Sequence, residues 1–274
     1  MAKNWIITGA NRGFGLEFAR AALARGDKVA ATSRKPKALN DLVASYGDQV
    51  LPLTLDVTDR AAAFAAVEQA AAQFGRLDVV VNNAGYGLFG MIEELTEQQL
   101  RDQLEVNLFG VFHVTQAALP ILRRQGSGHI VQVSTIGGVA AFPELGGYHA
   151  SKWALEGFSE SLAQEVAAFG IKVTLVEPGP FGTDWGGSSA VHADALPHYA
   201  EFRVKRAEQM KQMQINVGDP QAAGPALLKV VDAKEPPLRT FFGTLPTQMV
   251  PPLYEQRLKT WQEWEPVAHE ANGG

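Results

Sequence analysis

Residues 4–15 read NWIITGANRGFG, and this stretch decides the fold. The apolar run at residues 4–7 predicts a buried strand, and the amphipathic segment at residues 16–24 predicts a helix. The turn between them carries Gly9, Gly13 and Gly15, and glycines there let the backbone approach a pyrophosphate that the helix N-terminus stabilises. A glycine-rich turn without a ligand is the alternative, but the strand before it and the helix after it favour a dinucleotide-binding turn.

Apolar runs typical of strands alternate with helical stretches along the rest of the chain. The strands are predicted at residues 4–7, 28–32, 50–55, 77–81, 129–133 and 172–176. Because these runs are continuously apolar, they indicate parallel strands that helices cover on both faces. The sequence therefore predicts an α/β fold, a doubly wound Rossmann-type parallel sheet. A short strand near residues 238–242 would bring the sheet to about seven strands.

A single domain over residues 1–274 accommodates this pattern, since 46% hydrophobic residues are ample for one core. After Pro178 the alternation lapses, and helical patterning resumes only over residues 199–214. A segment that leaves the C-terminal end of a strand lies over the ligand crevice of such a sheet, so residues 181–217 are predicted to form a substrate lid. Residues 218–274 are predicted to form a C-terminal elaboration with a helix around 220–231 and a frayed end at 271–274.

The composition excludes several classes of function. The net charge is −5 with acids and bases mixed along the chain, so no basic stripe is offered to nucleic acid or to an anionic membrane. The chain has no cysteine, and no Asp, Glu and His cluster has the spacing of metal ligands, so no metal is expected. No apolar run approaches the ~18 residues of a membrane span. A cytoplasmic protein is expected.

Tyr148 and Lys152 stand four residues apart at the start of a predicted helix. This spacing places the phenol and the ammonium one turn apart on one helical face. The cation can lower the pKa of the phenol below its ordinary ~10, so that the tyrosine acts as a general acid or base near neutral pH. An isolated Tyr-x-x-x-Lys is far more often a helix surface, but the nucleotide-binding turn upstream favours a catalytic pair and an oxidoreductase.

The choice of cofactor is indicated by residues 31–35, which end the second predicted strand and read ATSRK. An NAD-specific site presents an acid there to the ribose 2′-hydroxyl, and this segment has none. Arg34, next to Ser33 and joined by Arg12 of the glycine turn, can instead hold a 2′-phosphate. NADP(H) is therefore favoured, and NAD(H) stays open. The alternative is that Arg34 and Arg12 are solvated surface charges with no role in cofactor binding.

Two further segments follow predicted strands. Asp56 can accept a hydrogen bond from the adenine amino group while Val57 packs near the ring, although a turn or cap role for Asp56 is equally compatible with the sequence. The segment Asn82-Asn83-Ala84-Gly85 has small residues that keep the chain close to a cofactor, and its alternative is an ordinary Asn-Gly turn.

With these residues in place, the chain resembles the short-chain dehydrogenase/reductase family from residue 3 to about residue 183. The motifs that carry the resemblance follow in family order: Thr-Gly-x-x-x-Gly-x-Gly at 8–15, Asp56, Asn-Asn-Ala-Gly at 82–85, Asn107, Tyr-x-x-x-Lys at 148–152 and Pro-Gly at 178–179. The resemblance implies that Tyr148 exchanges a proton with the substrate oxygen, that Lys152 lowers the pKa of this phenol and holds the nicotinamide ribose, and that Asn107 supports a water relay. The hydride comes from the cofactor.

The catalytic hydroxyl is where the sequence departs from the family pattern. In the family, the residue that carries the catalytic hydroxyl lies thirteen positions before the tyrosine. Thirteen positions before Tyr148 is Thr135, whereas Ser134 lies fourteen positions before it. Successive side chains of a strand point to opposite faces, so only one of the two is expected to reach the substrate oxygen. Thr135 is the preferred catalytic hydroxyl. If the strand ended in a bulge, Ser134 would face the substrate oxygen instead.

The resemblance also implies contacts from residues 178–183 to the nicotinamide amide. The full predicted cofactor-binding set is Gly9, Asn11, Arg12, Gly13, Phe14, Gly15, Ser33, Arg34, Asp56, Val57, Asn83, Ala84, Gly85, Tyr148, Lys152, Pro178, Gly179, Phe181 and Thr183. Aromatic and apolar residues after strands four and six, such as Phe89 and Trp185, predict a small apolar ketone, aldehyde or secondary alcohol as substrate. The alternative for each of them is that it packs the lid onto the body of the protein. The resemblance further implies a homodimer or homotetramer.

Two other classes of protein are compatible with parts of this pattern. A non-catalytic NADP(H)-sensing regulatory protein could use the same fold, but it would have little need for Tyr148, Lys152 and a hydroxyl together. An epimerase or dehydratase of nucleotide sugars would be expected to have a longer C-terminal domain than the segment after Pro178 provides.

Overall fold

The centre of the protein is a seven-stranded parallel sheet, seen in a computed structural model that describes residues 2–213 and 215–273. The strands in chain order are β1 (Asn4–Ile7), β2 (Lys28–Ser33), β3 (Val50–Thr54), β4 (Val79–Asn82), β5 (Leu88–Phe89), β6 (Gly128–Val133), β7 (Ile171–Pro178), β8 (Val191–His192) and β9 (Arg239–Phe242). The order across the sheet is β3-β2-β1-β4-β6-β7-β9, while β5 and β8 form a separate parallel pair. The predicted doubly wound α/β fold is confirmed.

Helices cover both faces of the sheet. The α-helices in chain order are α1 (Gly13–Ala24), α2 (Asn40–Tyr46), α3 (Arg60–Phe74), α4 (Glu97–Leu104), α5 (Gly110–Gln125), α6 (Gly146–Val166), α7 (Ala200–Gln212), α8 (Pro220–Asp232), α9 (Thr244–Glu263) and α10 (Glu265–Ala271). Helices α1, α2 and α8 pack on one face and α3, α5 and α6 on the other. Between α4 and α5 the chain makes one π-helical turn, Glu105–Phe109.

The two hydrophobic cores lie on opposite faces of the sheet because successive side chains of a strand alternate in direction. Trp5 and Ile7 belong to the core under α1 and α8, whereas Ile6 between them belongs to the core under α3 and α5. All three side chains have no solvent exposure. Burial on both faces explains why these strands read as unbroken apolar runs.

Local sequence signals set the ends of the alanine-rich helix α3. The carboxylate of Asp59 accepts a hydrogen bond of 3.0 Å from the amide of Ala62, which satisfies one of the free amides of the first turn. Gly75 ends the helix with φ at +78°, a left-handed conformation that glycine adopts without a Cβ clash. The sequence thus supplies both a cap and a stop for this helix.

Some element boundaries differ from those expected. Helix α1 begins at Gly13, three residues before the amphipathic pattern, so its first turn contains two of the three glycines. Helix α7 ends at Gln212, and Gln214, where its pattern was expected to end, lies outside the described residues, as does Gly274. The sequence did not predict α9 and α10, because Pro246, Pro251 and Pro252 argue against a helix.

No helix within residues 2–213 and 215–273 is both long and apolar enough to cross a bilayer. Over the same residues, no group of three or more His, Asp or Glu side chains is arranged to hold a metal ion.

We expect Asp59→Ala to lower the free energy of unfolding by about 1 kcal/mol, because it removes the N-cap of α3. The measurement is urea denaturation followed by circular dichroism. Glu68→Ala is the control, since Glu68 is exposed in the interior of the same helix. Equal losses in the two variants would contradict the capping role.

Candidate active site

Strands β1 and β4 are tied together where they end. The Thr8 hydroxyl accepts hydrogen bonds of 2.9 Å from the amides of Asn83 and Ala84, and the Asn83 side chain donates to the carbonyls of Thr8 (2.9 Å) and Gly9 (3.2 Å). The connections from β1 and β4 lead to opposite halves of the sheet, and ligands of such folds bind in the crevice at this point. These bonds therefore build the floor of a crevice.

The glycine turn fits closely onto this floor. Gly9 has φ at +64°, in the left-handed region that other residues rarely adopt. A Cβ on Gly15 would lie 2.4 Å from the carbonyl oxygen of Gly9 and 2.5 Å from the side-chain nitrogen of Asn83. Only glycine fits at Gly15, so the first turn of α1 can sit against the floor with its free amides directed at the crevice.

Tyr148 and Lys152 lie on the face of α6 that packs on the ends of β6 and β7. Both residues are buried, with 6% exposure each. The Lys152 ammonium donates a hydrogen bond of 2.7 Å to the carbonyl of Val133, the last residue of β6. The Thr135 side chain lies close enough to the Tyr148 phenol to lower its pKa. The structure thus brings Thr135, Tyr148 and Lys152 to one place.

The electrostatics of Tyr148 and Lys152 follow mainly from their burial. Burial raises the pKa of Tyr148 above its ordinary value, and the nearby Thr135 side chain offsets only part of this effect. Burial also lowers the pKa of Lys152 to about 8, against the opposing influence of Glu156. Desolvation dominates the pKa of both groups, and the lowering of the phenol pKa by the Lys152 ammonium stays a prediction.

Ser134 and Thr135 face different partners, as adjacent residues at a strand end do. The Ser134 hydroxyl donates a hydrogen bond of 2.5 Å to Oε1 of Glu156. The Thr135 hydroxyl accepts a bond of 3.1 Å from the amide of Gly137 and lies by the phenol. Of the two predicted candidates, only Thr135 is placed beside Tyr148 by these contacts.

Asn107 lies inside the π-helical turn between α4 and α5 and has no solvent exposure. Its amide nitrogen donates bonds of 3.1 Å to the carbonyl of Tyr86 and to the hydroxyl of Ser151, and its oxygen accepts a bond of 3.2 Å from the amide of Tyr86. Asn107 therefore joins the loop after β4 to the helix that carries Tyr148. Gly85, one residue earlier in that loop, is exposed.

The residues predicted to select the cofactor lie around the ends of β2 and β3. Arg34 is exposed, and the Ser33 hydroxyl accepts a bond of 3.1 Å from the amide of Lys35. Arg12 forms a 3.0 Å ion pair with Asp184 of the segment after β7, a partner that the sequence did not suggest. Oδ1 of Asp56 accepts bonds from the amide (3.0 Å) and hydroxyl (2.8 Å) of Thr58, which is the turn role considered as an alternative.

Other predicted cofactor residues make contacts within the protein. The ring of Phe14 packs edge-on against that of Phe181 at 4.9 Å, which fastens the segment after β7 to α1. The amide of Gly179 donates a bond of 2.9 Å to the carbonyl of Phe242 in β9. Val57 is buried, Pro178 ends β7, and Thr183 lies 3.9 Å from where a Cβ on Gly13 would be. Asn11 and Ala84 are half-buried at the crevice.

The segment after β7 covers the candidate active site. The indole of Trp185 lies 4.9 Å from the ring of Tyr148 and 5.2 Å from that of Phe89, measured between ring centroids. Two residues of the segment form β8, which pairs with β5 in the loop after β4. His192 of β8 stacks on Phe89 at 5.0 Å. An apolar, aromatic roof therefore lies over the phenol.

An ionic latch holds helix α7 to the body of the protein; it consists of Glu94, Glu144, Arg203 and Arg206. Arg203 pairs with Glu94 and, at 2.8 Å, with Glu144, which also lies 3.5 Å from Arg206. The Glu94 side chain has no solvent exposure and also accepts bonds from the amides of Met91 and Leu196. Hydrogen bonds from Arg203 and these amides lower the pKa of Glu94 to about 2.

Glu144 shows what the latch stabilises. Its φ is +69°, a left-handed conformation that costs a non-glycine residue ~1–3 kcal/mol. Its carbonyl accepts a bond of 2.8 Å from the amide of Gly90, and its carboxylate binds the arginines of α7. These contacts hold the turn that starts α6 four residues before Tyr148.

Sequence reasoning missed several residues of this site. Thr8 was quoted in the glycine motif without a role of its own, although a hydroxyl at the end of the first strand was a usable signal. The ion pairs Arg12–Asp184 and Glu94–Arg203 join residues that are 172 and 109 positions apart in the sequence, and no local pattern predicts such pairs. The pairing of β5 with β8 involves only two residues in each strand, too few for a period.

Comparisons with known proteins find one family of relatives. The family described as short chain dehydrogenase matches residues 3–192. The chain is 47% identical over 245 residues to the oxidoreductase BOA17 of Botryotinia fuckeliana, covering 89% of each protein. It is 39% identical over 242 residues to the 3-ketodihydrosphingosine reductase of Bacteroides thetaiotaomicron, covering 88% of this chain and 87% of that protein. The crystal structure of a short-chain dehydrogenase from Streptomyces avermitilis superimposes with a TM-score of 0.91 at 41% identity, covering 98% of both chains.

We expect Arg203→Met to lower the melting temperature by several degrees at pH 7, because it leaves the Glu94 carboxylate enclosed without its cation. A carboxylate with a lowered pKa stabilises the fold above its unfolded pKa of ~4.3, and this contribution is lost as the pH falls toward 2. The difference between variant and wild type should therefore narrow from pH 6 to pH 3 in thermal denaturation. Arg101→Met, which removes an exposed ion pair within α4, is the control. A constant difference over that pH range would argue against this role of the latch.

Proposed function

The chain belongs to the short-chain dehydrogenase family of oxidoreductases, and from this premise we propose that it interconverts an apolar ketone or aldehyde with its alcohol, using NADP(H). The observation that carries the proposal is the convergence of Thr135, Tyr148 and Lys152 under an aromatic roof, beside a glycine turn built for close approach. The family binds a nicotinamide cofactor, and the proposal adds the roles of the residues, the cofactor preference and the substrate class.

The crevice residues fit a dinucleotide. Because Gly15 has no Cβ, α1 packs closely against the floor of the crevice. The amides of its first turn would then face the crevice and stabilise a pyrophosphate. Asn11, Gly13 and the loop 83–85 would line the same cradle, and residues 178–183 would meet the nicotinamide end. When bound, the cofactor supplies or accepts the hydride.

Tyr148 would exchange the proton that accompanies hydride transfer. In reduction, its phenol donates the proton to the carbonyl oxygen as charge builds on that oxygen, and in oxidation it takes the proton from the alcohol. The Thr135 hydroxyl orients and polarises the same oxygen by a hydrogen bond. Because burial raises the phenol pKa, Tyr148 holds its proton at neutral pH, which suits the donor role.

Lys152 would supply the positive charge behind the phenol. With a pKa of about 8, it is mainly protonated at neutral pH and loses its charge as the pH rises through 8. The ammonium is held by the Val133 carbonyl, and from there it can also bind the ribose hydroxyls. Asn107 connects the loop after β4 to α6 through Ser151 and would fix the helix on which both residues lie.

The NADP(H) preference rests on Arg34. The end of β2 offers no acid to a ribose 2′-hydroxyl, and Arg34 stands there exposed, able to form charge-assisted bonds with a 2′-phosphate. Arg12 is paired with Asp184, so it would contribute only by exchanging that carboxylate for the phosphate. Asp56 and Val57 would border the adenine.

The apolar substrate class rests on the roof of Trp185 and Phe89 over the phenol. The name of the Bacteroides relative describes the reduction of a keto group, which is the reaction type proposed here. Residues 181–217 would act as the substrate lid, with 218–274 as a C-terminal elaboration. Assembly into a homodimer or homotetramer through α4–α5 and α6 is supported by the exposed side chains of Phe109, Trp153 and Phe169.

We expect Tyr148→Phe to reduce carbonyl-dependent NADPH oxidation at least ~100-fold, because the variant has no proton to donate. The assay uses a panel of apolar ketones and aldehydes, and wild-type turnover in it tests the proposed function directly. NADPH affinity, measured by fluorescence titration, should stay within about threefold of wild type. Thr135→Val should lose rate in the same assay, whereas Ser134→Ala should lose less. Turnover retained in Tyr148→Phe would exclude this proton donor.

We expect Arg34→Asp to shift cofactor selectivity toward NAD(H), because the acid repels a 2′-phosphate and accepts a bond from a 2′-hydroxyl. The ratio of kcat/KM for NADPH to that for NADH should fall at least ~100-fold. Lys37→Asp, an exposed charge change nearby in the chain, is the control for general electrostatics. An unchanged ratio in Arg34→Asp would remove Arg34 from the cofactor site.

A further inference from the structure

A pair of buried carboxyl groups, Glu156 and Glu177, lies behind the candidate active site. Glu156 follows Tyr148 and Lys152 at spacings of four on the same face of α6 and is 5% exposed. Glu177 lies on β7 and is 1% exposed. Acidic residues are rarely so buried unless they are paired, and the proposed mechanism does not use either one.

The contacts of the two groups are unequal. Glu156 accepts a bond of 2.5 Å from the Ser134 hydroxyl and one of 2.9 Å from Nε of Arg239. Oε1 of Glu177 lies 3.6 Å from the same Arg239 nitrogen and has no hydrogen-bond partner among the described residues. Arg239 also pairs at 2.7 Å with Glu160, whose side chain is 53% exposed. One guanidinium therefore serves three carboxyl groups.

The charges around the pair do not balance if both carboxyls are ionised. The charged groups that act on the pair are Lys152 from α6 and Arg239 from β9. Glu160 of α6 shares Arg239 with them, and the neutral Ser134, the residue after β6, donates to Glu156. Burial, and then the charge of Glu156, raise the pKa of Glu177 to about 8. Burial also raises the pKa of Glu156, although Ser134 and Arg239 act against it. Close carboxyls in such a site retain a proton.

We propose that Glu156 and Glu177 share one proton at neutral pH, and that the single negative charge left on the pair keeps Lys152 protonated. The charge resides mainly on Glu156, because it has the bonds from Ser134 and Arg239, and the proton resides mainly on Glu177. Glu156 and Glu177 are thus positioning residues that act on the active site through Lys152. The proton sharing stands by itself, whereas its consequence for turnover rests on the proposed function.

The proton sharing is tested by thermal denaturation of wild type, Glu177→Gln and Glu160→Gln from pH 5.5 to pH 8. The contribution of Glu177 to the stability of wild type should fall as the pH rises, because Glu177 holds a proton to about pH 8 when folded and releases it above ~4.3 when unfolded. Glutamine imitates the protonated carboxyl and can donate to Glu156, so Glu177→Gln lacks this loss. Its melting temperature should rise relative to wild type by about 3 °C or more across the range.

Glu160→Gln is the matched control, since the native Glu160 also pairs with Arg239 but is exposed to solvent. Its melting temperature should follow that of wild type in parallel. Parallel curves for Glu177→Gln and wild type would overturn the shared proton. This result needs no turnover, so it stands apart from the outcome of the carbonyl assay.

The effect on Lys152 is tested by the pH dependence of kcat/KM in Glu156→Gln. Removing the negative charge should let the pKa of Lys152 fall, so the alkaline limb of the profile should move down by about one pH unit. Glu160→Gln should leave the limb in place. A lower rate with an unmoved limb in Glu156→Gln would indicate a purely structural role and contradict the proposal. Absence of wild-type turnover with every carbonyl would instead count against the proposed function, and the melting curves would still decide the proton sharing.

Discussion

The hydrogen bonds between Thr8 and Asn83 are the constraint on which the rest of the site depends. They join the ends of β1 and β4 at the centre of the sheet, where no strand pairing continues to hold the two loops together. The close fit of Gly15 to Asn83 then sets the position of α1, whose N-terminus faces the crevice. A small hydroxyl and one amide side chain thus fix the floor of the crevice in which we propose that the dinucleotide binds.

The second organising feature is the inner face of α6, which carries Tyr148, Lys152 and Glu156 at successive turns. Burial alone would hold the phenol protonated and weaken the charge of the ammonium, and both effects are present in the pKa shifts. Glu156, one turn further along α6, opposes the fall of the Lys152 pKa, and the Val133 carbonyl at the end of β6 holds the ammonium. Glu177 of β7 lies at the same Arg239 nitrogen as Glu156. The protonation of Tyr148 and Lys152 therefore depends on groups from α6, β6 and β7. The spacing of residues along α6 does not determine it by itself.

The predicted lid and the ionic latch show which features local sequence patterns can predict and which they cannot. Residues 181–197 were recognisable as irregular chain, because they follow a strand of a parallel sheet and lack periodicity, and a lid over residues 181–217 was predicted from them. Their contacts were not recognisable, since the pairs Arg12–Asp184 and Glu94–Arg203 depend on long-range packing. For the same reason Arg12 was expected at the cofactor phosphate and was found with an acid partner, and the prolines of α9 concealed a helix that tertiary contacts support.

The sequence by itself determined the fold class, the position of the glycine turn and the shared face of Tyr148 and Lys152. These follow from the periodicity of strands and helices and from the conformations open to glycine, which are local properties of the chain. Only the tertiary structure decided which hydroxyl faces the phenol, because two adjacent residues differ only in the direction that the strand end gives them. It also decided the signs of the pKa shifts, since desolvation depends on how completely distant segments enclose a group.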